Sequence, residues 1–364
     1  MRATQLPRRG RAAGAGFSLM ELMVGLAIGM IAMVTIVQVM SFFEAQRRTT
    51  SGSADAQTNG GIALYAISRD LQMAGYPLMT TTDSPLECTT ITSNVAGITS
   101  IGPVALANGT AGASPASDSI TIRYGTTLSG GAPTQISSLV GSAASVGSNL
   151  GCQLGDITLI MSGVSCAISR VPPTPTTNIS APTANPNTVT LENTALAAAG
   201  ANLSCLGTWN EITYAVNAGN LERTAVVNGV STTTPIVAGI VNLQAQYGIS
   251  AAANTSQVTA WVNAETVGGV DWAAPSVSNR NRIKAVRIAV VARNARLEPE
   301  VVSAACTSTT AAAPGGVCAW EGSVASPAPV VDLSTGNANW NRYRYRVFET
   351  IIPLRNVIWS KDTL

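Results

Sequence analysis

From Phe17 to Phe43 the chain carries one charge, Glu21. As a helix this run is roughly 40 Å long at about 1.5 Å per residue. That exceeds the ~30 Å hydrocarbon core of a bilayer, so the run can span one. Arg2, Arg8, Arg9 and Arg11 precede it, and no acid occurs before Glu21. The positive-inside bias therefore holds the N-terminus in the cytoplasm and sends the chain beyond Phe43 across the membrane.

In a secretory signal, small residues and the cleavage site follow the apolar run. Here Ala12-Ala13-Gly14-Ala15-Gly16 precede it, so a cut at that point removes a basic leader and leaves the hydrophobic helix on the mature protein. Gly16-Phe17-Ser18-Leu19-Met20-Glu21 resembles the type IV prepilin signature, in which a Gly–aromatic bond is cut and a Glu is the fifth mature residue. The resemblance implies cleavage between Gly16 and Phe17 by a prepilin peptidase, which also N-methylates Phe17. An uncleaved signal anchor is the alternative. A carboxylate at the centre of a membrane helix costs ~2.5–3.5 kcal/mol, less near an interface, so such residues usually have a function. The resemblance gives Glu21 an assembly role: in a fibre core it neutralises the Phe17 amine of a neighbouring subunit, a charge that is strongly disfavoured when buried alone. Gly25 and Gly29 form a Gly-x-x-x-Gly spacing, which ordinary membrane-helix composition explains equally well.

The sequence contains no histidine, which excludes Ser-His-Asp and Cys-His catalysis and His metal sites. Lysine occurs only at Lys284 and Lys361, and no constellation for another catalytic chemistry is visible. The expectation is a non-enzyme without a cofactor. Loss of residues 1–16 removes four Arg and leaves 17 basic against 19 acidic residues, net −2. Such a chain has no electrostatic footprint for nucleic acid. All six cysteines lie beyond the apolar run. An even count on the oxidising side reads as disulfides, with fifteen possible connectivities. Proximity favours Cys306–Cys318 and Cys152–Cys166, leaving Cys88–Cys205. A four-cysteine metal site is the rival, without any Cys-x-x-Cys spacing to support it.

The helix is expected to continue from Glu44 to about Met73, with Leu64, Ile67 and Leu71 on one buried face. Gly52 and Gly60-Gly61 weaken it, with a kink or local melting expected nearby. Gly75 and Pro77 supply a stop. Residues 80–150 are rich in Thr, Ser, Gly and Ala. Ser119–Tyr124 and Asp156–Met161 read as strands. Residues 171–188 hold five prolines and read as a loop, more a tolerated insertion than a recognition loop. Glu211–Val216 and Leu221–Val227 flank a short Gly-containing turn and read as a hairpin. Ile236–Ile249 resembles a PilW-family segment that leads into a core strand ending in Tyr-Gly. In Ile283–Arg293, Val286, Ile288 and Val290 share one face, with Arg287 and Arg293 on the other. Residues 303–340 return to small and polar residues. In Asn341–Asn356 arginines alternate with aromatics, which could bind single-stranded nucleic acid. A strand with a solvated basic face explains the pattern without a ligand.

Arg69-Asp70-Leu71 with Ala74-Gly75-Tyr76, and the segments 237–248, 283–293 and 342–356, resemble the PilW family of minor pilins. The middle, about 80–210, matches no familiar motif. The resemblance implies an α+β pilin-like fold: a long N-terminal helix packed on an antiparallel sheet with extended loops. The parts are then a cleaved leader (1–16), a membrane and filament-core helix (17–43), a periplasmic helix (44–76) and a β-rich head (77–364). It further implies a minor pilin of a type IV pilus, held in the inner membrane until it joins a priming complex at the pilus tip. Its partners are then the prepilin peptidase, other minor pilins, the major pilin and a PilY-type tip adhesin. Glu21 favours an internal place in that complex. Twitching motility, attachment and DNA uptake are all compatible. Two other readings are a minor pseudopilin of a type II secretion system and a tip adhesin that binds a surface through residues 80–210.

Overall fold

A computed structural model describes residues 16, 18–78, 85–109, 116–149, 151–173, 187–227 and 229–358. The chain divides into two units, residues 1–51 and 52–364.

The first unit contains the start of α1 (Leu19–Met73). Its apolar stretch, Leu19–Glu44, has a mean hydropathy of 2.3 and none of it is buried within the chain. At about 1.5 Å per residue its 26 residues reach about 39 Å, enough to cross a bilayer. So much exposed aliphatic surface calls for lipid or other helices around it.

The second unit opens with the rest of α1. The helix runs unbroken through Gly52 and Gly60-Gly61, so the expected melting does not occur. The reason is packing. A Cβ at Gly52 would collide with the Asn294 side chain, and one at Gly60 with the Phe348 ring. Gly52 and Gly60 thus sit at close contacts with the head, whereas Gly61 has open space. Ala56, Ala63, Ile67, Leu71 and Ala74 make the buried stripe, while Leu64 is half-buried and Ile62 and Tyr65 face outward. Gly75 ends the helix at φ +79°, a conformation glycine adopts without strain.

The first half of the head contains β1 (Thr90–Ser93), β2 (Val104–Ala107), β3 (Ser119–Tyr124), β4 (Thr134–Val140), β5 (Ala143–Val146), β6 (Ile157–Ser162), β7 (Ser165–Arg170), β8 (Thr188–Thr190) and β9 (Asn202–Gly207). The second half adds β10 (Asn210–Asn217), β11 (Asn220–Val227), β12 (Val230–Ala238), β13 (Ile240–Ser250), β14 (Val258–Val262), β15 (Thr266–Val267), β16 (Val270–Asp271), α2 (Val277–Arg280), β17 (Ile283–Arg293), β18 (Tyr345–Pro353) and α3 (Arg355–Ile358).

These strands form three main sheets, ordered β1-β7-β6-β9-β4-β5-β8, β12-β11-β10-β3-β2 and β14-β13-β17-β18, with β15-β16 as a small hairpin. All pairings are antiparallel except β1 with β7. The main core joins the α1 stripe to all three sheets, through residues such as Ile122, Leu159, Ile212, Leu243 and Ile288.

Two additions to a single-sheet head are visible. Strands β1 and β4 to β9 form a seven-stranded sheet, while β2 and β3 join β10 in the second sheet. Alternate β6 residues serve two cores: Leu159 and Met161 face the main one, and Ile160 faces a second with Ile136, Ala167 and Leu203. Likewise β17 does not have one solvated face. Val286, Ile288 and Val290 point into the main core, while Ala289 and Val291 lie beneath Ala319, Trp320 and Val331. The polar-looking 303–340 segment is thus a cover for the central sheet.

The disulfides join Cys88 to Cys166, Cys152 to Cys205 and Cys306 to Cys318. The Cys152–Cys166 pairing expected from proximity is incorrect, and with it Cys88–Cys205. Cys152 precedes the start of β6, whereas Cys166 lies just past the turn of the β6–β7 hairpin, opposite Met161. At ~3.3 Å per residue, the length of the hairpin keeps these two cysteines apart.

Candidate functional site

The candidate site is α1 with its mounting on the head. At its N-terminal end Gly16 and Glu21 are described, and both are exposed. Phe17, with its expected cleavage and methylation, lies outside the described residues, as do most of the leader and positions 174–186 of the Pro-rich loop. Gly25 and Gly29 have open space where a Cβ would sit.

At the other end the helix is tied down by polar contacts. Asp70 is only 8 % exposed. The Tyr214 hydroxyl donates to its Oδ2 at 2.8 Å, and Arg223 Nε donates to the same oxygen at 3.1 Å. Tyr214 and Arg223 face each other across the β10–β11 hairpin. Burial and the Asp70 charge both push the Tyr214 hydroxyl well above the usual tyrosine range. The carbonyls that end α1 have a second partner: Asn356 Nδ2 donates to Ala74 O at 3.1 Å and Met73 O at 3.3 Å. Such end carbonyls have no partner within the helix, and a side-chain donor satisfies them. Gly75 N–H donates to Arg123 O at 2.9 Å, and the Arg123 guanidinium is paired with Glu211.

The segments at 69–76 and 342–356 are therefore two sides of one joint. The hairpin was expected from its Gly-containing turn and is present, with Ala218 and Gly219 at positive φ. The roles of Asp70, Tyr214, Arg223 and Asn356 in the joint are new. A buried acid one turn before a helix stop was the only local signal for it.

Arg344 and Arg346 are exposed, as a solvated basic face requires, though part of that face is paired. Arg344 Nε donates to Glu298 Oε1 at 3.0 Å, and Arg342 Nε to Glu298 O at 2.8 Å. Arg293 lies 4.6 Å over the Tyr343 ring and Arg287 4.6 Å over that of Trp320. Lys284 is fully buried, donating to Ala253 O at 2.8 Å. Lys361 lies outside the described residues. Among the described residues no group of three or more His, Cys, Asp or Glu is arranged to hold a metal ion.

An apolar N-terminal helix whose later turns are built into antiparallel β-sheets defines a pilin-like α+β protein. Residues 212–356 match the family described as Type IV Pilus-assembly protein W, which makes that part of the chain type IV pilus-related. The matched region runs from β10 through Asn356, the residue that caps α1. Its N-terminal helix fits a membrane anchor for such a protein. A type IV-like pilin from Thermus thermophilus is similar over 84 % of this chain and 97 % of its own, at 11 % identity and a TM-score of 0.33. No curated protein matches the sequence. The family is one of structural proteins and not a known enzyme class.

Proposed function

We propose that this chain is a minor pilin, processed between Gly16 and Phe17, that enters the priming and tip complex of a type IV pilus and supports a tip adhesin there. Before assembly it stands in the inner membrane with the head in the periplasm. Other minor pilins and the major pilin are its neighbours. The observation that carries this reading is the single helix, Leu19–Met73, with Glu21 at one end and the buried Asp70 joint at the other. A helix of that kind can pass from lipid to a fibre core while its far end stays fixed to a head. Glu21 is the lone acid of the apolar segment before Glu44, placed one turn from the amine that cleavage would create at Phe17.

Two experiments test it. Intact mass of the membrane-extracted protein should begin at N-methylated Phe17, and that species should vanish without the prepilin peptidase. A mass retaining Met1–Gly16 would overturn the proposal. Glu21→Ala should be cleaved normally yet fail to enter pili, whereas normal piliation with the variant would remove the role given to Glu21. Recovery of the protein with secretion machinery instead of pili would assign it to a type II pseudopilus.

A further inference from the structure

Between the β6–β7 turn and the segment that leads into α2 lies a groove of about 1130 Å³. Thr89, Ile91 and Val164 form one side, held together by the Thr89 N–H donating to Val164 O at 2.9 Å. Pro275 and Val277 form another. Val164 is 54 % exposed, an apolar side chain left open at the groove wall.

Arg280, the last residue of α2, lines the groove as well. Its Nη2 donates to Leu86 O. Its Nε is buried without an acceptor. Nη1 has no acceptor among the described residues either, but it is not closed off from solvent as Nε is. No ion pair among the described residues includes Arg280. Burial pulls the guanidinium below the usual arginine range, and no neighbouring carboxylate offsets that pull. Glu87, the acid in the groove lining, therefore does not neutralise it. The other cavity that Arg280 borders, toward Leu354 and Val357, holds about 10 Å³, room for at most one water. The reachable Nη1 thus opens to the groove. A part-buried cation without a counter-ion is costly, so the groove asks for an anion there.

The rest of the lining selects which anion. One guanidinium with one free amino group suits a single carboxylate, through charge-assisted N–H···O bonds. A nucleic-acid backbone would ask for further cations, and Arg280 is the one cation in the lining. A sugar acid would find no aromatic face to lie on. Ile91, Val164, Pro275 and Val277 offer aliphatic contacts instead, with the hydroxyls of Thr99 and Ser278 beside them. The volume exceeds the ~300–1,000 Å³ of small-molecule sites, which leaves room for several residues. We propose that this groove binds a short acidic segment of a partner protein, with an Asp or Glu carboxylate on Arg280 Nη1 and an apolar neighbour against Ile91 and Val164. The proposal does not rest on the assembly role of the helix.

The test uses the full chain in a nonionic detergent at low ionic strength. The probes are acetyl-Val-Glu-Val-amide and its counterpart with Gln in place of Glu, followed by saturation-transfer NMR. The Glu peptide should bind saturably with a Kd of about 1 mM. The Gln peptide should bind at least about tenfold more weakly, the loss of one charge-assisted hydrogen bond. Arg280→Gln should remove this preference, and Arg280→Lys should keep part of it. Arg280 also holds Leu86 O, so Ser278→Asp, at an exposed position of the groove, serves as the variant that leaves folding untouched. It should weaken the Glu peptide and spare the Gln peptide. The thermal midpoint of each variant is recorded alongside. Absence of saturable binding overturns the proposal. So does equal affinity for the two peptides, a preference untouched by both Arg280→Gln and Ser278→Asp, or tighter binding of methyl glucuronide or inorganic phosphate. Binding that appears only after deletion of residues 359–364, which include Asp362, would make this chain its own occupant and overturn the partner.

Discussion

Gly60 of α1 packs against the ring of Phe348 on β18, so closely that a Cβ at position 60 would overlap ring carbons. Its neighbour Gly61 has open space at the same place. The two glycines therefore predict opposite signs for one substitution. Gly61→Ala should stabilise by up to about 1 kcal/mol, the gain in helix propensity. Gly60→Ala gains the same propensity but must push the ring aside, and overpacking of this kind costs about 1–3 kcal/mol. Thermal unfolding of the full chain in detergent reads both changes. Equal midpoints for the two variants would show that the helix does not approach the sheet at Gly60.

The Asp70 joint makes a second prediction. Asp70 Oδ2 accepts from both Tyr214 and Arg223, so their contributions are coupled. Tyr214→Phe removes one donor and leaves the ion pair, at a cost of about 1–2 kcal/mol. Asp70→Ala leaves a part-buried Arg223 without its acceptor and Tyr214 with only the longer bond to Ala66 O at 3.3 Å, and should cost more, about 2–4 kcal/mol. The double variant should lose clearly less than the sum. Strict additivity in that cycle would mean that Tyr214 and Asp70 do not interact.

What sequence could show here follows from how local each feature is. The end of α1 was legible because Gly75 and Pro77 are adjacent punctuation, and Gly75 does take positive φ. Ser119–Tyr124 and Ile283–Arg293 were legible because their side chains alternate, and both are strands with those bounds. The fate of Arg287 and Val291 was not legible. A loop containing Trp320 covers that face, and loops leave no period to read. Strands such as Thr134–Val140 are short and Ser-rich, so the seven-stranded sheet had no strong signal either. The pairing of Gly248 with Trp261 depends on strand register, which sequence spacing does not reveal.

The disulfide pattern gives a third prediction. Non-reducing peptide mapping should recover Cys88 linked to Cys166 and Cys152 linked to Cys205. A Cys152–Cys166 peptide would contradict the order of β1, β6 and β7. The bridges span 78, 53 and 12 residues. Loop entropy then ranks paired Cys→Ser losses at about 4.5, 4 and 3 kcal/mol in that order, before any relief or strain. Removing Cys306–Cys318 should thus be tolerated best, as judged by denaturant midpoints.

Asp118 supplies a fourth prediction, with a sign opposite to the usual carboxylate. Its Oδ1 accepts from Gly109 N–H at 2.9 Å and its Oδ2 from Ala245 N–H at 2.8 Å. Those bonds favour the charged form, but burial outweighs them and, with a smaller push from Glu265, raises the carboxyl from 3.8 to about 6. Between those two values the native state holds a proton that the unfolded chain has released. The stabilisation from this group is therefore complete below about pH 3.8 and is lost as pH rises through about 6. The size is up to about 3 kcal/mol, at 1.36 kcal/mol per unit. The wild-type curve alone sums over every acid of the chain. Asp118→Asn isolates the group, because an amide does not titrate. The difference in unfolding free energy between wild type and variant should shrink by up to about 3 kcal/mol as the pH is raised from 4 to 7. Curves that stay parallel across that interval would show that Asp118 is ionised in the native head throughout.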